Sequence, residues 1–204
     1  MVEILGQKVK PVSPHLDFLE KWEGKLNIGG HLNWKYDSET GVVQFKVGDR
    51  PLSDIGFGMT QLITTLLATY ISCVGDSKPK GLINFVGRLI LLEEPEANLH
   101  PKLQSMLADL IADATQNYKN QFIIETHSEY MIRKFQYLVA KGEMKPEDIV
   151  IYYFNDPAEE KKPLKITIDE HGSLSDDFGP GFYDEAATWE LELLKLKRSK
   201  NRQN

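Results

Sequence analysis

The chain has 204 residues, 41% of them hydrophobic, and a formal net charge of −6 with a pI of about 5.4. A chain of this length can bury roughly 70% of its unfolded surface, so a stable core is expected. The acidic balance excludes a global basic field that would attract nucleic acid or an anionic membrane. There is no apolar run of transmembrane length and no signal-peptide pattern, which predicts a cytoplasmic protein without a membrane partner.

The N-terminal region, residues 1–50, is predicted to contain a helix and a β-hairpin. LDFLEKW, which follows two prolines, predicts a short helix. Residues 31–47 alternate between apolar and polar side chains on either side of DSETG, which predicts two antiparallel strands. Residues 51–58 are loop-like, and helical spacing of apolar residues begins at Met59. The single cysteine, Cys73, lies in this apolar stretch and is predicted to be buried.

Short apolar strands alternate with helices in the central region, residues 51–154. RLILL at 88–92 is a continuous apolar run, which predicts a strand buried on both faces. Pro101 suits the first turn of the next helix, and QFIIE at 121–125 predicts a second buried strand before a further helix. The alternation indicates an α/β fold with a mainly parallel sheet flanked by helices.

The C-terminal region, residues 155–204, is predicted to be an appendage with a β-edge and a helix. The strands predicted at 148–154 and 164–168 have no helix between them, which favours an antiparallel edge. The final helix is predicted over 183–200, with Trp189 and neighbouring leucines packed onto the core. Its basic end either is a frayed helix terminus or contacts nucleic acid, and cations at a helix C-terminus favour the former interpretation.

Two acidic residues follow the first predicted parallel strand, in LILLEEPEANLHP at 89–101. Ligands bind at the carboxyl ends of parallel strands, and adjacent carboxylates there can serve a metal and a water separately. Phosphoryl transfer uses both functions. The second strand ends in IIETHSEYM, which places His127 near Glu94 if the two strands are neighbours. An imidazole there can hydrogen-bond a terminal phosphate or an attacking water.

These motifs resemble those of ABC, SMC and overcoming-lysogenization-defect ATPases. LILLEEPEANLHP is similar to a Walker B motif with its D-loop, IIETHSEYMI to the switch-histidine loop, and LSDIGFGMTQLI to the variant signature motif. Their order matches the superfamily. IDEHGSLSDDFGPGFYDEA resembles a C-terminal domain of unknown function that is attached to many such bacterial ATPases. The resemblance implies part of a P-loop NTPase fold, with ATP and Mg²⁺ as cofactors.

The resemblance also implies roles for individual residues. Glu94 matches the catalytic glutamate that polarises water, Glu93 the metal-side acid and His127 the switch histidine. The expected nucleotide-binding residues come from the signature loop and the D-loop; they are Gly56, Phe57, Gly58, Thr60, Gln61, Asn98 and His100. Three departures stand out: Glu93 replaces the usual aspartate, the signature serine is absent, and His100 replaces a common aspartate.

The phosphate-binding motif G-x-x-x-x-G-K-[ST] does not occur in the sequence. The basic, glycine-containing stretch GDSKPKG at 75–81 lacks the required order and is interpreted as a surface turn. Three explanations remain open: a fragment, a split protein whose P-loop lobe is another chain, or a chain that has lost ATPase function. The intact hydrolysis motifs favour the first two.

The expected partners follow from the same resemblance. They are a P-loop lobe or second ATPase subunit, another copy of the chain through a nucleotide sandwich, and a nuclease in phage defence or DNA repair. The alternative function is a non-catalytic interaction module that docks on a partner ATPase or nuclease.

Overall fold

The computed structural model describes residues 2–4, 7–9, 14–74, 88–154 and 162–201. The chain divides into two compact units, Met1–Met131 and Ile132–Asn204. The model has the mixed α/β composition that the sequence predicts. Among the described strands one pair is parallel and the other pairs are antiparallel.

The first unit begins with small antiparallel sheets and one helix. Strands β1 (Val2–Ile4) and β2 (Gln7–Val9) pair antiparallel, and helix α1 spans Pro14–Leu26. The predicted hairpin is confirmed as β3 (Leu32–Asp37) and β4 (Val42–Val47), and β4 also pairs with β5 (Arg50–Pro51).

The turn of this hairpin is closed by an aspartate at the end of β3. The Asp37 carboxylate accepts the backbone N–H groups of Glu39 and Thr40. The pKa of Asp37 is lowered because hydrogen bonds favour the ionised carboxylate. The bond from the N–H of Glu39 has the largest effect, followed by the bonds from Thr40. The DSETG break in the alternation therefore acts as an Asx-type turn.

Helices α1, α2 (Phe57–Val74) and α3 (Pro101–Tyr118) form the core of the first unit. Pro101 occupies the first turn of α3, as predicted. The helix α2 begins at Phe57 rather than at the predicted Met59. The core side chains of these helices are almost fully buried; the largest are Phe18, Trp22, Leu62, Ile63, Leu66, Leu107 and Leu110.

One carboxylate ties two of these helices together. Asp113 on α3 accepts hydrogen bonds from the indole N–H of Trp22 and the ammonium of Lys21 on α1, both at 2.7 Å. Burial alone would raise the pKa of Asp113. The hydrogen bonds from Lys21, Trp22 and Asn117 outweigh burial and leave that pKa lowered.

Cys73 near the end of α2 is buried, as predicted, with 6% of its surface exposed. Burial raises the pKa of its thiol to about 11. The stretch GDSKPKG that follows lies outside the described residues. None of the described helices is long and apolar enough to cross a membrane.

The parallel pair consists of β6 (Leu89–Glu93) and β7 (Gln121–Glu125), which are joined through α3. The prediction that both faces of these strands are buried is wrong for this chain. Leu91 is 69% exposed and Ile123 58% exposed, and both point to the same face because they are register partners. No element among the described residues covers that face. A continuous apolar run is typical of a covered parallel strand, but the run itself does not say which segment supplies the cover.

Helix α4 (Glu129–Ala140) follows β7, and its later residues belong to the second unit. There, β8 (Ile151–Tyr153) and β9 (Leu164–Ile166) pair antiparallel, as predicted, but they form a separate two-stranded sheet and not an edge of the parallel pair. Aromatic rings cluster beside them; they belong to Tyr153, Phe178, Phe182 and Tyr183.

The last helix, α5 (Glu185–Asn201), differs from the prediction in its packing. Trp189 is 64% exposed and Leu193 61% exposed, so the expectation that they pack on the core is wrong. The apolar residues of α5 lie on two opposite sides of the helix, and a single contact surface cannot bury both.

Candidate functional site

The carboxyl ends of β6 and β7 bring the predicted catalytic residues to one edge. Glu93 and Glu125 are register partners at the ends of the two strands. The backbone N–H of Glu94 donates to the carbonyl oxygen of Glu125 at 2.9 Å, which holds the chain just beyond β6 against β7. The parallel register therefore carries both strands to the same edge, as expected for a ligand site in an open parallel sheet.

Glu94 has an unusual backbone conformation. Its φ is +42°, in the left-handed region that non-glycine residues rarely adopt. Such conformations cost of order 1–3 kcal/mol and persist only where neighbouring contacts enforce them. The hydrogen bond to Glu125 is one such contact. In this conformation the chain turns sharply after β6, and the Glu94 side chain is 55% exposed.

Glu94 and His127 meet at this edge. His127 Nε2 lies 3.5 Å from Glu94 Oε1, and the two side chains are 74% and 55% exposed. A contact between two side chains this exposed adds little to stability. Its interest is chemical, because a carboxylate and an imidazole this close can both reach one water or phosphate oxygen.

Glu96 is a residue of this site that sequence reasoning missed. Its carboxylate is buried, with 7% of the residue exposed. Glu96 Oε1 accepts the hydroxyl of Thr126 at 2.7 Å and the backbone N–H of His127 at 2.6 Å. No local spacing reveals this contact, because Glu96 precedes Thr126 by 30 residues and His127 by 31 residues in the chain.

A second set of hydrogen bonds joins the same two segments. The Ser128 hydroxyl donates to Gln104 Oε1 at 2.6 Å, and Gln104 Nε2 donates to the carbonyl oxygen of Leu99 at 2.9 Å. Ser128 also accepts the backbone N–H of Met131 at 3.1 Å, which caps the start of α4. The loop that carries His127 is therefore fixed at both Glu96 and Ser128.

The start of α2 packs directly on the segment after β6. A Cβ atom on Gly58 would lie 2.3 Å from the carbonyl oxygen of Asn98, so only glycine fits this contact. Asn98 has a φ of +59°. A Cβ on nearby Gly56 would meet no heavy atom within 4 Å.

The remaining residues of the predicted nucleotide-binding set are placed as follows. Thr60 turns its hydroxyl toward the carbonyl oxygens of Leu52 and Ile55, each at 3.2 Å. Phe57 is 72% exposed, and Gln61 is half-buried one turn into α2. His100 caps α3, with its Nδ1 accepting the N–H of Lys102 at 3.3 Å.

Two groups of predicted residues therefore come together. Glu94 pairs with His127, and Gly58 contacts Asn98. Both groups include the segment 94–100, which links the strand end to the start of α3. The roles of these residues remain predictions.

The donor set suits a hard cation. Glu93 is exposed at the strand end and offers carboxylate oxygens. Among the described residues no three or more His, Cys, Asp or Glu side chains are grouped to hold a metal. Mg²⁺ in phosphate-transferring sites is usually held by one or two carboxylates together with substrate phosphates, so a single acid fits its chemistry.

Comparison with known families identifies the region that contains this site. Residues 7–132 match the family described as AAA ATPase domain. The chain belongs to this family. All the predicted site residues of the AAA ATPase domain, from Gly56 to His127, lie within the matched range. Residues 144–196 match a second family, described as a protein of unknown function (DUF3696).

Individual relatives match over shorter or looser stretches. The chain is 30% identical over 90 residues to "Endonuclease GajA" from Bacillus cereus (strain HuB5-5). That match covers 40% of this chain and 13% of the relative. The matched stretch thus spans a small part of that protein's length.

Two solved structures resemble this chain. One, titled as a study of ATP-driven dimerization and DNA-stimulated activation of SMC ATPases, is 15% identical with a TM-score of 0.47, covering 78% of this chain and 84% of that one. The other, an SmcHead bound to the C-winged helix domain of ScpA, is 19% identical with a TM-score of 0.43, covering 59% and 36%. At these TM-scores neither likeness carries an argument about function.

Proposed function

We propose that this chain supplies the hydrolysis groups of an ATP-hydrolysing enzyme, as the C-terminal lobe of an ABC-like or overcoming-lysogenization-defect-like ATPase. The observation that carries the proposal is the Glu94–His127 pair, 3.5 Å apart at the carboxyl ends of two adjacent parallel strands. Membership in the AAA ATPase domain family supports an ATPase-type activity.

In this proposal each residue at the strand ends has a separate task. Glu94 orients the attacking water and accepts its proton, and His127 hydrogen-bonds the terminal phosphate or that water. Glu93 would hold Mg²⁺, and the bound ion would supply positive charge to neutralise the phosphate oxygens. The exposure of Glu94 and His127 leaves both side chains accessible to a nucleotide.

The phosphates need a binding loop that this sequence does not contain. A P-loop cradles phosphates with successive backbone N–H groups and a lysine, and no G-x-x-x-x-G-K-[ST] occurs in the 204 residues. The exposed apolar face of β6 and β7 supports completion by another lobe, because parallel strands are normally covered on both faces. The P-loop lobe then belongs to another chain or another part of a longer protein.

The complete enzyme in this proposal works as a head-to-tail pair with ATP between the copies. Gly56, Phe57, Gly58, Thr60 and Gln61 face the nucleotide held by the opposite copy, as do Asn98 and His100. The contact of Gly58 with Asn98 supports this grouping, because it brings the start of α2 against the segment that contains Asn98. The domain division at residues 50 and 154, and a phage-defence setting beside a nuclease, belong to the same proposal.

The test is Glu94→Gln in the assembly with a P-loop lobe. The amide cannot accept the water's proton, so kcat falls by roughly 10²- to 10⁴-fold while ATP stays bound. Turnover of radiolabelled ATP and retention of ATP on the assembly are the measurements. The matched control is Glu125→Gln, the same change at the register-paired end of β7, which leaves turnover near that of the parent. Turnover by Glu94→Gln equal to that of the parent would exclude this role.

A second candidate function is a non-catalytic module that docks on a partner ATPase or nuclease. The exposed face of β6 and β7 is the observation that favours it, since such a face suits a protein interface without requiring catalysis. An assembly that forms through this face but shows no ATP turnover supports the module.

A further inference from the structure

We infer that Glu96 is a positioning residue that sets the place of His127 by holding its backbone, and that it couples segment 94–100 to this histidine. The inference rests on the proposed function, because the positioned histidine is the one assigned to phosphate or water. The Glu96 side chain is buried and does not need to touch the nucleotide for this role.

The geometry of the carboxylate carries this inference. One oxygen, Oε1, accepts two hydrogen bonds from consecutive residues of the opposite segment, Thr126 and His127. The 2.6 Å bond to the His127 N–H fixes the backbone from which the imidazole projects toward Glu94.

The clamp also fixes the neighbouring residues of this loop. The Thr126 hydroxyl, which donates to Glu96, accepts the backbone N–H of Ser128 at 3.0 Å. The three residues from Thr126 to Ser128 are thus locked as a unit before α4 begins. Glu96 anchors this unit at residue 127, and the bond of Ser128 to Gln104 anchors it at residue 128.

The carboxylate is held just beyond the strained turn at Glu94. The N–H of Ala97 donates to the carbonyl oxygen of Glu94 at 3.0 Å, and the N–H of Leu99 to that of Glu96 at 3.0 Å. Asn98, in the same turn, touches Gly58. A shift at the Gly58 contact therefore reaches His127 through a short chain of contiguous contacts, of the kind that can transmit a conformational change.

The contacts of Glu96 with the His127 loop run through one carboxylate oxygen. Oε1 accepts both bonds, whereas Oε2 is buried and accepts no hydrogen bond from the described residues.

The test compares Glu96→Ala with Glu96→Gln. The glutamine keeps one oxygen that can accept both donors, whereas the alanine keeps none. Hydrogen exchange resolved at the His127 amide is measured on the full chain and on the assembly with a P-loop lobe. Glu96→Ala accelerates this exchange by roughly tenfold or more, and Glu96→Gln restores most of the protection. The control Glu20→Ala, at an exposed position of α1, leaves exchange at His127 unchanged.

Turnover of the assembly provides the second readout. Glu96→Ala lowers kcat with little change in KM, and Glu96→Gln recovers most of the loss. Equal exchange at His127 in the parent and in folded Glu96→Ala overturns the inference, as does faster exchange with unchanged kcat. A parent assembly that exchanges as expected but does not hydrolyse ATP overturns the proposed function instead. If Glu96→Ala does not fold, loss of kcat in folded Glu96→Gln with His127 still protected also overturns the positioning role.

Discussion

The helices α1–α3 and the strands β6 and β7 belong to one compact unit, yet they differ in how they bury apolar surface. Leu62, Ile63, Leu107 and Leu110 of the helices have no exposed surface, whereas Leu91 is 69% exposed. The helices bury their apolar faces against each other and against one face of the strands. The other face of the strands has no cover among the described residues.

The difference separates apolar surface that this chain covers itself from apolar surface that no described element covers. A side chain that contacts neighbours on all sides stabilises this chain by itself, whereas an apolar strand face left in water stabilises only an assembly. Glu94 and His127, the proposed hydrolysis residues, lie at the ends of these half-covered strands. The exposed face and the proposed site both agree with the proposal that another lobe completes them.

Substitution of one buried and one exposed leucine tests this difference in burial most directly. Leu110→Ala opens a cavity in the packed helices and lowers the free energy of unfolding by about 2–5 kcal/mol. Leu91→Ala removes an exposed side chain and changes that free energy by less than about 0.5 kcal/mol. Denaturant unfolding of both variants measures the difference. Equal destabilisation by the two substitutions would mean that the strand face is covered in the isolated chain.

A pair of glycines tests the boundary between the helices and the segment after β6. Gly58→Ala places a Cβ against the carbonyl oxygen of Asn98, and one backbone must move, at a cost of about 1–3 kcal/mol. Gly56→Ala meets no atom within 4 Å and serves as the matched control. Thermal unfolding measures the stability, and backbone amide NMR shifts at residues 97–99 show whether this segment moves. Similar stability and similar shifts in the two variants would contradict the close contact.

Asp113, which joins α1 and α3, makes a contribution to stability that depends on pH. Its substitution has the smallest expected effect on the free energy of unfolding. Asp113→Ala leaves the buried Trp22 N–H without its acceptor and lowers the free energy of unfolding by about 1–2 kcal/mol at neutral pH. The folded-state pKa of Asp113 is lowered, so its contribution is full above its unfolded pKa of about 3.9. That contribution is lost as pH falls through the lowered folded-state pKa.

The measurement is denaturant unfolding of parent and Asp113→Ala between neutral pH and about pH 3, with Asp49→Ala at an exposed turn as control. The gap between parent and variant narrows toward acid. A gap that is constant or widens toward acid would show that Asp113 does not act as an ionised acceptor.

Much of the fold was predictable from local patterns. The DSETG break located the β3–β4 turn because an aspartate that accepts the following N–H groups closes it. Pro101 marked the start of α3 because its missing N–H has no cost there. The α/β class and the parallel pairing of β6 with β7 followed from the alternation of strands and helices.

The errors have a common cause, which is that they concern neighbours distant in sequence. The run LILL indicates a strand that prefers cover on both faces, but one face has no cover among the described residues. Trp189 and the leucines of α5 show that this helix has apolar surface, but they do not show which other surface packs against it. The approach of His127 to Glu94 followed from the shared strand edge, but the Glu96 clamp depends on side-chain reach across 31 residues.

The central claim is that this chain holds hydrolysis groups for a nucleotide whose phosphates another lobe binds. The most direct measurement is calorimetric titration of Mg-ATP into this chain alone and into an equimolar mixture with a P-loop lobe from an adjacent coding region. The account predicts little binding to the chain alone, and both binding and hydrolysis on mixing. Absence of nucleotide binding in a mixture that forms a stable complex would contradict the account and favour the non-catalytic docking module.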